Sequence, residues 1–497
     1  MIPRTLLVTC CVSLALQFPS NTAWSKELTL RTFGAVGDGQ TDDRAAIESA
    51  LIKSDGAPVD GEGAIYAVHG NIELKSNVDL RNATFVQTVK PVDIAKYIPS
   101  ANGKGEPTVQ PPEALLTKIG ELPLMHASAV ATYSEDPVLS AEDLKAVLPM
   151  IELRTLAVRG SKDRPVSVRL ENIVVRRGSH PQTGGWEAGG IMIYDASPVV
   201  LKNVEVTGDG KGTGVSIRNS SKIQLEKLNI HDMEWAPYLG DNVLETVSIK
   251  SIKEDFGWNT FPIYKFDAGQ SRFVRVRIQE QIAGLELRDC KDVELLDSNF
   301  DRLQTKIGDS LYPLQTDGVT VGNVNNITVK NCHFTKTWEG IDFTSSYGDN
   351  FLYENCTSSD NFTFAFKLAH PKSNGKMINC TAHRAGNAGF VLEPEMENIE
   401  FHNCHAFETG SNGYWTKDDG SRVMTIGGFR LFTNKNLPSP LRVKFVKCSA
   451  INENYPGSMD FGFACDGGID LIEREIIASG CAVKGARVKD IHEMVIR

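Results

Sequence analysis

Four cysteines in this chain stand at a fixed interval. Cys332, Cys356, Cys380 and Cys404 are 24 residues apart, and each follows an asparagine: Asn331, Asn355, Asn379 or Asn403. The surrounding texts align as GVTVGNVNNITVKNC, GIDFTSSYGDNFLYENC, AFKLAHPKSNGKMINC and GFVLEPEMENIEFHNC. Each copy holds a small residue, a short alternating strand, a turn and a second alternating strand. Earlier copies read GIMIYDASPVVLKNV, GVSIRNSSKIQLEKL and GLELRDCKDVELLDS, with Val204, Leu228 and Ser298 in the cysteine slot. A repeat of this length with period-2 segments folds as a solenoid of β-coils, because one copy cannot bury its apolar face alone. No 3.6-residue pattern competes in these segments. The expected fold is all-β: a right-handed parallel β-helix running from about residue 166 to about residue 481.

Because Ile173, Val204 and Leu228 also fill the cysteine slot, that slot points inward. Buried thiols pack as small hydrophobes. Packed thiols are expected rather than disulfides, since parallel stacked side chains rarely reach the required torsion. No CxxC pair is present, which argues against a zinc site. The preceding asparagines are expected to form an amide ladder along a turn.

Composition sets the remaining bounds. The chain has 497 residues, 41% hydrophobic and 23% charged, with a formal charge of −10. This excludes a disordered chain and a general phosphate-tracking nucleic-acid binder. Residues 1–25 read as an export signal, with Arg4, the apolar run Thr5 to Phe18 and small residues at Ala23 and Ser25. Cleavage is expected after Ser25, leaving a secreted or periplasmic protein. No other apolar run is long enough for a membrane span.

The mature start predicts a cap. Leu28 to Phe33 reads as a short strand, followed by the turn text Phe33 to Asp43. Thr41 is the expected N-cap of a helix, with Asp42 and Asp43 at its positive end and Lys53 in its last turn. Ala46, Ile47, Ala50 and Leu51 form one apolar face, suited to covering the open end of a solenoid. Residues 26–87 are therefore cap and first coil, and 151–497 the β-helix. Residues 88–150 do not fit the coil pattern and read as an insertion, proline-rich with a helix capped at Ser140. The text FGAVGDGQTDD, with DGEGAIYAVHGNIELKSNVDLRNATF after it, resembles the start of pectin-lyase-like β-helix proteins. Those include family 28 glycoside hydrolases, pectate-lyase-superfamily proteins and phage tailspike depolymerases. The resemblance implies the fold for most of the chain and leaves the reaction open among hydrolase, lyase, epimerase and binder.

Strand parity places the candidate chemistry. With Ile191, Val215, Leu285, Val319, Ile341, Phe366, Phe390 and Phe429 inward, the next residue of each strand faces out. That column reads Met192, Ser216, Glu286, Thr320, Asp342, Lys367, Val391 and Arg430, and Lys265 is expected to join it before Glu286. Two residues on come Tyr194, Arg218, Asp267 and Arg288, while Asp317 and Glu339 sit on the preceding turn. Asp317, Glu339, Asp342 and Lys367 are the catalytic candidates. Lys265, Glu286, Arg288, His370 and Arg430 are the substrate-binding candidates. Clustered carboxyls suit glycoside hydrolysis, which needs two around the scissile bond. A basic side chain beside them suits β-elimination on a uronate. The expected partner is a polysaccharide and no cofactor is expected, although Ca²⁺ would suit a lyase. These groups are expected on a solvated face, where removing one costs a kilocalorie or less. Gln315-Thr316-Asp317-Gly318 resembles the Asn-Thr-Asp-Gly motif of family 28, which implies a catalytic Asp317. The family's next Asp-Asp pair falls on Trp338-Glu339, and its Gly-His-Gly falls on Thr363-Phe364-Ala365. A divergent hydrolase, a lyase, an epimerase and a non-catalytic polysaccharide-holding scaffold therefore all stay open. Trp186, Trp235, Trp258, Trp338 and Trp415 are candidate platforms for sugar rings.

Overall fold

The computed structural model describes residues 28–87, 154–177, 189–208, 213–235, 261–267, 272–278, 281–307, 310–312, 315–344, 348–369, 372–393, 396–411, 425–431, 441–465, 469–482 and 494–496. Residues 1–25 and 88–150, read above as signal and insertion, lie outside them. The described strands stack as a solenoid. One flank is an eleven-stranded sheet whose strands lie in chain order, from Ile72–Leu74 to Phe461–Cys465. The neighbouring pairs in this sheet run parallel. Longer strands such as Ala196–Gly208 and Ser221–Trp235 make up the remaining flanks.

The register follows the parity derived from sequence. Ile191, Val215, Leu285, Val319, Ile341, Phe366, Phe390 and Phe429 pair in sequence across consecutive coils. All eight lie in one continuous core. Phe366, Phe390, Phe429 and Phe463 stack face to face, with centroids 5.0, 4.6 and 4.7 Å apart. Identical side chains meet because each coil repeats the one below at roughly 4.8 Å.

The Asn-Cys repeat has a physical basis at both positions. Asn331, Asn355, Asn379 and Asn403 adopt φ between 50° and 54°, a left-handed turn that asparagine tolerates well. Their amides form the expected ladder: Asn355 Nδ2 donates to Asn331 Oδ1, Asn379 to Asn355 and Asn403 to Asn379, at 3.2, 3.0 and 2.9 Å. The cysteines are buried free thiols. Each donates to the carbonyl two residues back and to one in the coil below, as Cys356 does to Glu354 and Val329.

The cap differs in detail. The strand is Leu28–Thr29, followed by a 3₁₀ turn, Leu30–Phe33, whose N-cap Thr29 accepts from Thr32 N. The helix is Arg44–Ser54 with Asp43, not Thr41, at the N-cap. Thr41 instead donates its hydroxyl to Asp38, and the Asp43 carboxylate holds the loop amides of Val36 and Gly37. Ile47, Ala50 and Leu51 are buried in the core, as an end cap requires.

Candidate active site

The eleven-stranded sheet carries the site on its outer face. Its corner is a column of glycines, of which Gly318 and Gly340 directly follow Asp317 and Glu339. A Cβ on Gly318 would lie 2.4 Å from the Gly340 carbonyl oxygen, and one on Gly340 would lie 2.1 Å from Ser358 Oγ. These contacts explain why the corner needs a residue without a side chain. Trp338 N donates to Thr316 O and Gly318 N to Glu339 O, so Asp317 and Glu339 sit side by side on consecutive coils. On the strands that follow, Thr320, Asp342 and Lys367 pair in one outward column.

Outward does not mean solvated. Glu286, Asp317, Glu339 and Asp342 are 0, 0, 2 and 1% exposed. The expectation of a solvated charge face is thereby corrected, and with it the expectation of near-neutral substitutions. Parity reports which side of a strand a residue faces, and says nothing of what encloses that side.

Inside this enclosure the charges meet. Oxygens of Asp317, Glu339 and Asp342 lie within 4.8 Å of one another. Lys367 Nζ stands 3.4 Å from Glu339 and 3.5 Å from Asp342. The Thr320 hydroxyl donates to Asp317 Oδ2 at 3.1 Å and fixes its orientation. Burial pushes the Glu339 carboxyl well above the usual range, Lys367 partly offsets this, and Asp342 and Asp317 push it further up. Burial alone would lower Lys367, but the charges of Asp342, Glu339, Glu393 and Asp317 outweigh it and hold the ammonium protonated. The cluster therefore presents an acid with its proton on, carboxylates beside it and a fixed cation. One divalent ion could span oxygens this close, since Ca²⁺ takes them at about 2.3–2.6 Å. Lys367 supplies the counter-charge at that place.

Three further zones flank the cluster. Towards the N-terminal coils, Arg218 Nε and Nη2 both reach Glu286 Oε2 at 2.9 Å, Ser216 donates to the same oxygen, and Arg288 Nε stands 3.3 Å from Oε1. Beyond them Ala157, Met192 and Tyr194 pack as an apolar patch. Towards the C-terminal coils, Phe364, Ala388 and Val391 form another. Arg430 follows in the outward column, two coils past Lys367, with Nη1 donating to Asn387 and to the Thr425 carbonyl.

Two candidates, Lys265 and Trp338, do not join the site as expected, and four cannot be placed. Lys265 lies on Phe261–Asp267, which pairs antiparallel with Arg272–Ile278 in a separate two-stranded sheet. Ser216 pairs directly with Glu286, so no coil intervenes. An alternating segment fits a hairpin as well as a coil strand, and the 70-residue step from Ser216 to Glu286, against 22 to 39 elsewhere in the column, was the available sign of an insertion. Trp338 is buried and stacked on Phe362 at 4.4 Å, so it offers no open platform. His370 lies outside the described residues, as do Trp186, Trp258 and Trp415. Arg218 was missing from the candidates although it stands in the same column as Arg288.

Residues 263–428, which hold the cluster, match a protein-family model described as right handed beta helix region. The chain is a right-handed parallel β-helix protein. This is consistent with the pectin-lyase-like text of its cap. No curated protein matches the sequence. Among solved structures this β-helix is similar to PfbA, a surface adhesin of Streptococcus pneumoniae, at 11% identity over 94% of this chain and 96% of that one, TM-score 0.43. It is also similar to the Dettilon tailspike protein, at 8% identity over 94% and 68%, TM-score 0.49. A family 28 exopolygalacturonase of Yersinia enterocolitica matches at 9% identity over 94% and 76%, TM-score 0.39.

Proposed function

We propose that this β-helix is an exported enzyme that cleaves a polysaccharide by carboxylate acid–base hydrolysis on its eleven-stranded sheet. The observation that carries the reading is the enclosed cluster of Asp317, Glu339 and Asp342 with Lys367 against it. Glycoside hydrolysis needs a carboxylic acid that keeps its proton near neutral pH and a carboxylate across the bond. Glu339 has the environment of the first, and it protonates the leaving oxygen. Asp317 and Asp342, each with an oxygen within 4.8 Å of it, supply the second. Lys367 balances the negative charge and stays fixed.

The same environment weighs against elimination. A base must be unprotonated to take the proton beside a uronate carboxylate. Lys367 is driven the other way by its carboxylate neighbours, and arginine stays charged at any working pH.

The test is a panel of polysaccharides with two readouts, reducing ends and the ultraviolet absorbance of an unsaturated uronate. Reducing ends without the absorbance are expected, undiminished by EDTA. Absorbance together with EDTA sensitivity would establish a metal-assisted lyase instead. Binding without either signal would establish a scaffold. Glu339→Gln should lower turnover roughly a hundredfold or more with substrate binding kept. Full activity in Glu339→Gln, Asp317→Asn and Asp342→Asn alike would move the chemistry off this face.

A further inference from the structure

A polar cleft lies away from the eleven-stranded sheet. The short strands Thr357–Ser359, Thr381–His383, His405–Phe407 and Ser449–Ile451 pair in parallel within the larger sheet. Thr357, Ser359, Thr381, His383, Phe407 and Ile451 line a cleft of about 650 Å³ there, within the range of small-molecule sites, roughly 300–1,000 Å³. One wall is a loop. Four residues connect Ser359 to Phe364 and His383 to Ala388, whereas nine connect Ile451 to Phe461. The extra length is pinned, because Nδ2 of the fully buried Asn452 reaches Thr409 O, Tyr455 O and Ser458 Oγ at 3.2, 3.1 and 2.5 Å. From the same loop Asn454 Nδ2 donates to Glu408 Oε1, and Glu453 joins the lining.

The lining is rich in hydroxyls. Thr357 Oγ1 meets His333 Nδ1 at 2.6 Å and Ser359 Oγ meets Thr335 Oγ1 at 3.4 Å, and a hydroxyl offers one donor and two acceptor positions. Burial, with Arg384 beside it, holds the His383 imidazole below its usual range, so it stays neutral with one donor and one acceptor. Arg384 itself is turned to Asp360, with Nε and Nη2 at 2.5 and 2.6 Å from its oxygens. Glu408 and Glu453 are thus set against no lysine or arginine among the described lining residues, which disfavours an anionic ligand. Phe407 is half-buried and is the one aromatic side chain among those residues, with the His405 ring 5.9 Å away at 28°. A pyranose has an apolar C–H face and a rim of hydroxyls, which matches an aromatic face bordered by hydroxyl, imidazole, amide and carboxylate groups. An apolar ligand would strip those groups of water without replacing it, at a cost in affinity.

We propose that this cleft is a glycan site of its own, which binds a neutral oligosaccharide with one sugar ring on Phe407 and its hydroxyls shared among Thr357, Thr381, His383 and Glu408. It lies on a different sheet from the carboxyl cluster and does not depend on the reading of that cluster. A chain that cleaves glycans and one that only holds them both gain from it, because two sites on one chain raise the effective concentration of a polymer at each.

The experiment is titration calorimetry on the full chain carrying Glu339→Gln, which blocks the cleavage proposed above. Probes are maltohexaose, cellohexaose, mannohexaose and N-acetylchitohexaose, with hexagalacturonate as the acidic comparison. At least one neutral probe should bind, change little as salt rises, and weaken about tenfold on Phe407→Ala and about fivefold on Thr381→Val. Thr381→Val keeps the shape of the side chain and removes its hydroxyl, so it tests the cleft even where Phe407→Ala disturbs folding, which urea midpoints check. Three outcomes overturn the cleft: no neutral probe binds, hexagalacturonate binds as tightly as the best neutral probe with the same dependence on Thr381, or binding survives both substitutions. Cleavage by the wild type without such binding refutes the cleft alone. Binding that needs Phe407 and Thr381, without cleavage by the wild type, refutes the hydrolase reading alone.

Discussion

At Glu339 burial and two neighbouring carboxylates act together on one proton, and that proton makes stability, and the activity proposed above, depend on pH. The carboxyl sits well above its usual range, so the protonated form is favoured in the fold. The stability it contributes is full below the unfolded glutamate pKa and is lost as pH rises through the higher folded value. Glu339→Gln should therefore lose less stability than wild type on going from acidic to alkaline pH, as read by urea midpoints across that range. Hydrolysis should fall on the alkaline side as the same proton leaves. Lys367 faces the converse demand. Lys367→Met strands the buried carboxylates without their cation, at a cost of about 3–5 kcal/mol. Joining it to Glu339→Gln should return part of that cost, and strict additivity of the two would show that the pair is not coupled.

At the scale of a strand or a turn, the repeat speaks through columns. Phe390 stacks between Phe366 and Phe429 in the core, and Phe390→Ala should cost about 3–5 kcal/mol in a denaturant titration. Cys356 and Cys380 should stay unreactive to a thiol reagent until unfolding, since both are buried. Rapid labelling of either in the native state would refute the register. These columns were legible in the sequence because a coil repeats its environment, so the same residue types return coil by coil, every 24 positions from Cys332 to Cys404. The pairing of Asp342 with Lys367 followed from counting alternate residues along aligned strands. Three features did not follow. The burial of the acids is not set by which side of a strand they face, and alternation reports only that side. Lys265 alternates as a coil strand does but belongs to a hairpin. The helix starts after Asp43 and not at Thr41, because Asp38–Asp42 pairs as a strand with Ile65–Val68 and the Thr41 hydroxyl is bonded to Asp38.

Across the whole molecule, each coil touches mainly the coils beside it, so a defect should spread only as far as its neighbours. The helix Arg44–Ser54 tests this, because Ile47 and Leu51 are fully buried where the helix meets the core. Ile47→Asp places a carboxylate in that contact, and burying an unpaired charge is among the costliest single changes. The loss should be local. Hydrogen exchange should accelerate in Val78–Gln87 and, less strongly, in Val166–Arg177, which pairs with it. Ile341–Thr344 and Phe364–Leu368, several coils away and carrying Asp342 and Lys367, should keep their protection. The carboxyl cluster should then work at its wild-type rate while the capped end frays. Equal acceleration in all four segments would mean that the β-helix opens as one cooperative unit, and that its cap stabilises the carboxyl cluster as directly as the cluster's own coils do.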